Sequence, residues 1–493
     1  MKASQQLIRR CSLLDSARGS LQRQTTANSS LKRKYPLPAF PIKPHHVETR
    51  LLGATPSDFH ETLCEAIRNA QERVYLASLY IGPGALVKYE QEHELLDALR
   101  STKEDVDVKI ILDQNRALRE VPCDNGEMTS SAQAVADAIK LQDNHKLHLF
   151  QVLPTSLDAL LPNPLNEVAG VFHIKAYIVD DSLILSGANL SEEYFTDRQD
   201  RYLCFSDGGN GLVDFYAKLI DSLCDNSVAY QQGTTNTNVK KIMSPASNTR
   251  LLSEINDLFC SEDPRTAEQL LTEDSDTIAV CMPTFHAPSG FWDEAPEYWT
   301  DIEATLSLLR EGGSDDTTSR IHLSSAYLNP MPDLLKSVQH YPEANFVTAG
   351  PLSHGFRPKK QQSGNKGKAW IPTVFDHLIY EASKETHANM WHWERKDWTF
   401  HSKGIWIEEG EELLSHVVGS SNFGGRSFER DMESNLLMVF PPSKSSEVSI
   451  SLQDEWGELM KHSKQVNTKE VLDSAPELPI HVKSVLPFIK SFF

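Results

Sequence analysis

The chain has 493 residues, of which 40% are hydrophobic and 24% are charged, and its formal net charge is −20. This composition indicates a globular protein and excludes disordered and collagen-like chains. A membrane-spanning helix needs about 20 consecutive, mostly apolar residues. The sequence contains no such run, so we expect any membrane contact to be peripheral. The length predicts two or three domains, or one fold built from two similar halves.

Charge is distributed unevenly along the chain. Residues 1–47 carry nine Lys or Arg and one acid, so this segment holds +8 and the remainder holds −28. An acidic body repels the phosphates of nucleic acids, and we therefore expect no nucleic acid partner. The seven cysteines are scattered without a CxxC pair. That pattern argues against a disulfide framework or a zinc site and favours a reducing compartment.

The first predicted segment, residues 1–46, is a targeting sequence followed by a linker. Residues 1–35 are rich in Arg, Ser and Gln, and leucines lie among the spaced arginines. A helix would place most of these leucines opposite the charges, which is typical of a mitochondrial transit peptide. An ordinary basic tail is the alternative. The proline-rich stretch 36–44 then predicts a linker.

The next elements predict an α/β lobe over residues 47–235. PSDFHETLCEAIRNAQERVYLASLYIGPG (56–84) reads as a helix followed by a buried strand, and VDVKIILD (106–113) reads as a second strand. VFHIKAYIVD (171–180) and LILSGAN (183–189) predict two further strands, the last ending in a small-residue turn. Strands that alternate with helical patterns are typical of helices layered on a central sheet.

The same order of elements recurs over residues 236–493. A helix and strand over 296–330 are followed by NFVTAG (345–350), TFHSKGIWIE (399–408) and HVVGSSN (416–422). A long-range repeat of this kind predicts two pseudo-two-fold-related lobes, each a mixed β-sheet flanked by helices.

Three polar or terminal segments complete the chain. The turn-rich stretch 231–250 is the predicted boundary between the lobes. The basic stretch 358–368 is predicted to be a solvated insertion, or alternatively a loop whose lysines approach anionic head groups. Residues 481–493 combine apolar side chains with Lys483 and Lys490. This tail either lies in a membrane interface or docks on the core.

Two histidine–lysine pairs occupy equivalent places in the repeat, namely His173 with Lys175 and His401 with Lys403. Side chains alternate faces along a strand, so the members of each pair point to one side. A lysine can neutralise phosphoryl oxygens while an imidazole attacks phosphorus or moves a proton. One such pair arises often by chance, whereas two in equivalent places predict a shared phosphoryl-transfer site. We expect Asp180 to hold a histidine in the required tautomer.

The pattern H-x-K-x4-D with a following G-S-x-N resembles the signature of the phospholipase D superfamily. The first turn departs from it by reading Ser-Gly-Ala-Asn, and the second copy has Glu408 in the acid position, followed by an insertion. The resemblance implies two phospholipase D-like lobes with the active site at their interface. The matching residues are His173, Lys175, Asp180, Gly187 and Asn189 in the first copy, and His401, Lys403, Gly419, Ser420 and Asn422 in the second.

Longer strings in both copies, within 77–82, 173–202, 401–408 and 419–435, resemble the eukaryotic mitochondrial phosphatidylglycerophosphate synthases. The resemblance implies transfer of a phosphatidyl group from CDP-diacylglycerol to glycerol 3-phosphate, which yields phosphatidylglycerophosphate and CMP. This is the committed step toward phosphatidylglycerol and cardiolipin. A mitochondrial setting and peripheral contact with the inner membrane are also implied. The chemistry requires no metal or other cofactor.

The resemblance predicts roles for the singled-out residues. His173 is expected to attack phosphorus because its motif copy is complete, and His401 is expected to take the proton of the acceptor hydroxyl. Lys175, Lys403 and the two asparagines would stabilise charge on the phosphoryl group. Glu408 would orient a histidine.

Several flanking residues have two interpretations. Arg198 with Asp200, and Arg430 with Glu433, follow the two turns at similar distances. These residues either support the site or bind the acceptor phosphate, or they form structural ion pairs. The turn over 81–84 lacks the GK[ST] of a P-loop. Its Gly82 and Gly84 are predicted to lie at the mouth of the site, near the CDP group.

Two other classes of function stay open at the sequence level. One is another enzyme on the same fold, such as a cardiolipin or phosphatidylserine synthase or a phosphodiesterase acting on DNA ends. The other is an inactive scaffold that uses the lipid site only for binding. The acidic body argues against DNA, and two intact histidine–lysine pairs argue against a scaffold.

Overall fold

The structure is a computed structural model, and part of the chain is described in it. The predicted transit segment up to residue 34, the stretch 358–368 and residues 483–493 lie outside that part. Within it, none of the helices combines the length and the apolar character needed to cross a membrane. The described residues are 35–152, 170–231, 245–260, 265, 267–288, 291–292, 294–312, 318–356, 370–441, 445–478, 480 and 482.

The described residues contain a seven-stranded sheet, a nine-stranded sheet and two short two-stranded ladders. In chain order, the strands are β1 (Phe40–Ile42), β2 (Arg73–Ser78), β3 (Asp107–Asp113), β4 (Val121–Pro122), β5 (Met128–Thr129), β6 (His145–Phe150), β7 (Ala176–Val179), β8 (Ser182–Ser186), β9 (Arg198–Gln199), β10 (Tyr202–Phe205), β11 (Val228–Ala229), β12 (Ala279–Pro283), β13 (Ser319–Ser325), β14 (Glu343–Ala349), β15 (Asn389–Trp393), β16 (Thr399–Phe400), β17 (Lys403–Glu409), β18 (Glu412–Gly419), β19 (Asn435–Val439) and β20 (Ser463–Gln465).

The helices flank these sheets. In chain order, they are α1 (Pro56–Asn69), α2 (Glu90–Arg100), α3 (Gln114–Ala117), α4 (Ser131–Ile139), α5 (Glu192–Thr196), α6 (Leu212–Asp225), α7 (Pro245–Phe259), α8 (Ala267–Thr272), α9 (Asp301–Gly312), α10 (Pro332–Ser337), α11 (Ile371–Ser383), α12 (Gly425–Glu429), α13 (Glu447–Lys461) and α14 (Thr468–Ser474).

The two large sheets repeat one topology. The first has the strand order β10-β8-β7-β2-β3-β6-β11, and the second has the order β1-β12-β19-β18-β17-β13-β14-β15-β20. Without β1 and β12, the second order matches the first strand by strand. The directions match as well, since β2, β3 and β6 run parallel in one sheet and β13, β14 and β15 run parallel in the other. The predicted α/β fold of two related lobes with mixed sheets is confirmed.

Local sequence explains the first predicted unit. The Thr55 hydroxyl accepts a hydrogen bond from the backbone N–H of Asp58, and Pro56 occupies the first position of α1. Both features favour a helix start. Phe59, Leu63 and Ile67 recur at helical spacing and are buried, so the helix packs on the sheet through one face.

The stretch 36–44, predicted as a linker, contributes to the fold. Phe40–Ile42 forms β1, which pairs antiparallel with β12 at the edge of the second sheet. An edge strand tolerates the proline at position 41 because its N–H side can face away from the sheet. The predicted boundary 231–250 is also partly structured, since α7 begins at Pro245. The domain boundaries themselves stay a prediction.

The lobes share a core. One continuous apolar cluster contains Ala77 and Ile111 of the first sheet together with Ile321, Val347 and Ile405 of the second. A separate cluster fills the space between the other face of the first sheet and helices α1, α2 and α4. The shared core fixes the lobes against each other, and the two histidine motifs lie where the lobes meet.

Candidate active site

Two short cross-lobe ladders position the histidines. Strand β9 pairs in parallel with β16, and Phe172 pairs in parallel with Met432. The backbone N–H of His173 donates to the carbonyl of Met432 at 2.9 Å, and that of His401 donates to the carbonyl of Gln199 at 2.8 Å. Both acceptor residues immediately precede an acidic residue of the opposite lobe.

Each histidine therefore forms a hydrogen-bonded pair, here called a dyad, with an acidic residue of the other lobe. His173 Nδ1 lies 3.0 Å from both carboxylate oxygens of Glu433, and His401 Nδ1 lies 2.7 Å from Asp200 Oδ2. All four side chains are buried. A carboxylate that accepts the Nδ1 proton leaves a lone pair on Nε2, which can attack phosphorus or take a proton.

The acids predicted to orient the histidines lie elsewhere, and this prediction is wrong. The Asp180 carboxylate accepts hydrogen bonds from the backbone N–H groups of residues 71–73. Glu408 pairs with Arg320 at 2.8 Å and accepts a hydrogen bond from Gln453. A strand advances about 3.3 Å per residue, so an acid seven positions after a histidine lies roughly 20 Å from it.

The two lysines of the motifs are buried beside their histidines. Lys175 Nζ donates to the carbonyl of His173 at 2.7 Å, and Lys403 Nζ donates to the carbonyl of His401 at 2.8 Å. Lys403 Nζ also lies 2.8 Å from Nδ1 of the His401 ring. Burial lowers the pKa of Lys403 to about 8, although the Asp200 carboxylate opposes this effect. Burial lowers the pKa of Lys175 as well.

Burial also sets the protonation states of the histidine–acid pairs. The pKa values of His173 and His401 fall well below the usual range, because both rings are buried and lysines lie nearby. Burial raises the pKa of Asp200 to about 6 and that of Glu433 to about 7, while the lysines favour the ionised carboxylates. Near neutral pH the imidazoles are therefore neutral, as a nucleophile and a base require.

The two predicted asparagines each have a buried side-chain oxygen, and Asn189 is linked to His401 through Tyr194. Asn189 Nδ2 donates to Tyr194 Oη at 3.0 Å. Within the described part of the chain, Oδ1 of Asn189 and Oδ1 of Asn422 are buried without a hydrogen-bond partner. A buried polar atom without a partner is costly. Such atoms in both halves are consistent with a polar ligand bound between them.

Small residues of the two turns allow close approach. A Cβ at Gly187 would lie 2.8 Å from Asp200 Oδ1 and 3.0 Å from Lys403 Cδ, so only glycine fits here. A Cβ at Gly419 would lie 2.6 Å from the Ser434 carbonyl oxygen. A hydrogen bond from Ser420 lowers the pKa of Glu433, against the effect of burial. These positions shape the dyads, and their part in substrate binding stays a prediction.

The predicted flanking residues are placed differently from one another. Arg198 is buried at the lobe interface, where its Nη2 lies 2.5 Å from Glu193 Oε2 and its Nε donates to Thr399 Oγ1 at 3.0 Å. The Glu433 carboxylate, predicted to accompany Arg430, lies against His173. The ion pair in that segment joins Arg426 to Asp431 instead, at 2.9 Å.

The predicted turn glycines pack against a carboxylate. Gly84 N–H donates to Glu92 Oε2 at 2.9 Å, and a Cβ at Gly82 would overlap the Glu92 side chain. Gly82 N–H donates to the carbonyl of Leu190, the residue after Asn189. The turn over 81–84 is thus hydrogen-bonded to the residue that follows Asn189.

Comparisons with known proteins address the family directly. The family model described as "Cardiolipin synthase, PLD-like domain" matches residues 63–222. The chain is 29% identical to the human mitochondrial CDP-diacylglycerol–glycerol-3-phosphate 3-phosphatidyltransferase, over 93% of this chain and 84% of that protein. It is 30% identical to the protein of the same name from Cricetulus griseus, over 93% of this chain and 85% of that protein. The chain belongs to the CDP-diacylglycerol–glycerol-3-phosphate 3-phosphatidyltransferase family. The predicted resemblance is confirmed.

A solved structure supports the fold of this phosphatidyltransferase family member. Phosphatidylserine synthase from Haemophilus influenzae matches with a TM-score of 0.68 at 18% identity, over 93% of this chain and 97% of that chain. The likeness extends across both lobes, so the second lobe, which the family model does not reach, shares the fold of that structure.

Sequence reasoning missed how the phosphatidyltransferase assembles its dyads. Asp200 and Glu433 each lie eleven residues after the asparagine of their own turn, Asn189 or Asn422. This equal spacing was the available signal. It marks both acids as members of the repeat, but it does not reveal that each pairs across the interface.

Sequence reasoning also missed Arg201, which links the two lobes next to Lys403. Arg201 extends from the first lobe into the second, where Nη1 donates to the carbonyl of Lys403 at 2.9 Å and Nη2 pairs with Glu455. Its guanidinium lies 4.1 Å from the Trp406 ring centroid. A Cβ at Gly404 would overlap this guanidinium, so the glycine admits it.

The described part of the phosphatidyltransferase holds no cluster of three or more His, Cys, Asp or Glu side chains arranged to bind a metal ion. The described site brings together imidazoles, ammonium groups, carboxylates and carboxamides.

Proposed function

We propose that this chain transfers the phosphatidyl group from CDP-diacylglycerol to sn-glycerol 3-phosphate, giving phosphatidylglycerophosphate and CMP. The observation that carries this proposal is the pair of cross-lobe dyads, His173 with Glu433 and His401 with Asp200, each accompanied by a buried lysine. Two imidazoles with free Nε2 lone pairs suit a double displacement at phosphorus. Membership of the phosphatidyltransferase family supports the choice of substrates.

In the first half-reaction, Nε2 of His173 attacks the phosphorus that carries the diacylglycerol. A P–N bond forms and the P–O bond to CMP breaks, so CMP leaves with the electron pair of that bond. The leaving group is a phosphate and needs little protonation. Glu433 stabilises the positive charge that develops on the His173 ring, because it lies 3.0 Å from Nδ1.

In the second half-reaction, a hydroxyl oxygen of glycerol 3-phosphate attacks the phosphohistidine. The hydroxyl proton passes to Nε2 of His401, a P–O bond forms, and the P–N bond to His173 breaks with its electron pair returning to the ring. Asp200 stabilises the resulting imidazolium through its contact with Nδ1. Lys175 and Lys403 offset the charge on the phosphoryl oxygens.

A purified-protein assay tests this function. We expect the full chain to release more than one equivalent of CMP from CDP-diacylglycerol only when glycerol 3-phosphate is present, with phosphatidylglycerophosphate as the lipid product by mass spectrometry. Parallel reactions with L-serine and with phosphatidylglycerol as acceptors examine the other lipid synthases. Faster turnover with either of these acceptors contradicts the proposal. A His173→Ala variant is the inactive control, and normal turnover by it would contradict the assigned chemistry.

The covalent step has its own readout. We expect labelled CMP to exchange into CDP-diacylglycerol without any acceptor, because the first half-reaction is reversible. Absence of exchange in an active preparation indicates direct displacement instead. Peptides prepared at neutral to alkaline pH, where the P–N bond survives, should carry the phosphoryl group on His173, and a label on His401 would reverse the two roles.

We also propose that the protein acts in mitochondria, at the surface of the inner membrane. The basic composition of residues 1–46 and the lipid nature of the proposed substrate support this location. A fluorescent fusion of the full chain should colocalise with a mitochondrial marker and lose that location when residues 1–46 are removed. Retention after alkaline carbonate extraction of the organelle would contradict peripheral attachment.

A further inference from the structure

The two catalytic histidines have different environments at Nε2. Tyr194 Oη lies 3.3 Å from Nε2 of His401. Tyr194 is the fifth residue after Asn189, and the fifth residue after Asn422 is Ser427. The Ser427 hydroxyl accepts a hydrogen bond from the Asn422 backbone N–H. The repeat is therefore broken at this position, and a phenol contacts the second histidine only.

Tyr194 is rigidly held. It lies on α5 and is 2% exposed, and its ring meets the His401 ring edge to face with centroids 5.0 Å apart. The Arg198 guanidinium lies 4.6 Å from the Tyr194 ring centroid. The carboxylate of Glu92 accepts the first N–H of the helix, that of Glu192, at 3.0 Å. These contacts leave the phenol oxygen little freedom to move.

The hydrogen bonds around Tyr194 define the direction of its own proton. Asp200 accepts the Nδ1 proton of His401, so Nε2 carries a lone pair. Asn189 Nδ2 donates to the phenol oxygen at 3.0 Å. The single phenol hydrogen is then free to point at His401 Nε2, which Lys403 Nζ also approaches at 3.2 Å.

We propose that Tyr194 is a positioning residue that donates to Nε2 of His401, and so reserves this histidine for proton transfer and leaves attack on phosphorus to His173. This inference rests on the proposed function. The phenol O–H holds the ring with Nε2 unprotonated and covers its lone pair until the acceptor binds. The O–H then turns about its C–O bond while the Tyr194 ring stays in place, and the acceptor's hydroxyl donates to Nε2 instead and gives up its proton there.

The hydrogen bond from Tyr194 stabilises the unprotonated ring, so its loss should make His401 easier to protonate. A base must be unprotonated to act, and removal of the phenol hydroxyl therefore moves the acid limb of the pH–rate profile to higher pH. Besides Tyr194, the titratable and charged groups that face His401 are Asp200, Lys403, Arg198, Lys175, His173 and Tyr327, whose ring centroid lies 5.8 Å from that of His401.

The decisive variant is Tyr194→Phe, which keeps the ring and removes the hydroxyl. Its matched control is Tyr177→Phe, because Tyr177 is also buried in the first lobe but donates to the carbonyl of Ala188, away from His401. For Tyr194→Phe we expect glycerol 3-phosphate-dependent turnover to fall about tenfold or more and the acid limb to rise by up to about one pH unit. CMP exchange should stay within about threefold of the unmodified chain. Tyr177→Phe should change neither the acid limb of the pH–rate profile nor the ratio of turnover to CMP exchange.

Two results would overturn the inference. One is an unmoved acid limb with equal losses in exchange and turnover, which indicates a structural role only. The other is a phosphoryl label on His401 in the unmodified chain. If Tyr194→Phe fails to fold by thermal unfolding, Tyr194→3-fluorotyrosine replaces it. A stronger donor of the same shape should move the limb to lower pH, and an unmoved limb again contradicts the inference. Absence of turnover in the unmodified chain would instead count against the proposed function.

Discussion

Replacement of Asp200 by asparagine tests the cross-lobe dyad directly. Asp200 Oδ1 accepts the backbone N–H of Arg201 at 2.9 Å, and Oδ2 faces His401 Nδ1 at 2.7 Å. In Asp200→Asn the amide oxygen keeps the Arg201 N–H, so the amide NH2 group faces Nδ1. Two donors cannot share that contact, and the His401 ring shifts its proton to Nε2. The lone pair that should accept the acceptor's proton is then lost.

The size of the effect follows from the geometry. With Nδ1 and Oδ2 2.7 Å apart, the charges of an imidazolium and this carboxylate are centred about 4 Å apart. At an effective dielectric constant of about 20, they attract each other by about 4 kcal/mol. Each 1.4 kcal/mol is about a factor of ten in rate, so we expect turnover to fall by about a thousandfold. Both groups are buried, and bulk solvent therefore screens the interaction little.

The assay separates the two half-reactions. Glycerol 3-phosphate-dependent CMP release should fall by the amount above, whereas acceptor-free CMP exchange should fall less than about tenfold because His173 and Glu433 stay intact. The matched control is Asp180→Asn, since Asp180 is the acid expected from the motif and lies instead on the backbone N–H groups of residues 71–73. Asp180→Asn should lower the free energy of unfolding without altering the rate of CMP release or of CMP exchange by more than about threefold.

Two outcomes would refute this reasoning. The first is an Asp200→Asn variant that retains turnover within about tenfold of the unmodified chain, because the carboxylate would then stabilise no developing charge. The second is an Asp180→Asn variant that loses as much turnover as Asp200→Asn while it remains folded, which would restore the acid of the motif to the chemistry.

The remaining predictions concern the other dyad, the pH dependence and the lobe interface. Glu433→Gln should abolish acceptor-free CMP exchange as well as turnover, since it acts on His173, and preserved exchange would be the contrary result. kcat/KM should follow a bell-shaped pH profile, falling below about pH 6–7 as the His401–Asp200 and His173–Glu433 pairs each take up a proton, and above about pH 8 as Lys403 loses its proton; a flat profile from pH 6 to 9 would contradict it. Gly404→Ala should lower the free energy of unfolding by about 2–5 kcal/mol in urea titrations, because its Cβ overlaps the buried Arg201 guanidinium. The control Gly457→Ala, in α13 with open space around it, should raise that free energy by about 0.5–1 kcal/mol.

Much of the fold could be predicted because the repeated elements have recognisable local sequence patterns. The helix before β2, the strands on both sides of each histidine motif and the Asn-ending turns all follow from hydrophobic periodicity and turn chemistry. The edge strand β1 could not be predicted in this way, since its proline-rich sequence resembles a linker. It is ordered by pairing with β12, more than 230 residues later in the chain.

The candidate site could likewise be predicted only where it depends on local sequence. The histidine–lysine pairs were predicted because their members are two residues apart and share a strand face. The pairing of each histidine with Asp200 or Glu433 was not predicted, because the partners lie 260 positions apart for His173 and Glu433, and 201 positions apart for His401 and Asp200. Such pairings depend on how two lobes dock. The motif spacing pointed to Asp180 and Glu408, which strand geometry carries to the far end of each sheet.

Because each dyad joins residues of both lobes, the arrangement affects how the sequences of the two motif copies can diverge. A half-length protein with one copy of the motif would complete its dyads only by dimerising with itself, and any change would then appear twice in the same site. With both copies in one chain, each half can be altered alone. The aspartate in one dyad and the glutamate in the other, like Tyr194 opposite Ser427, are differences of this kind. Covalent linkage thus permits a division of labour between nucleophile and base that identical subunits could not maintain.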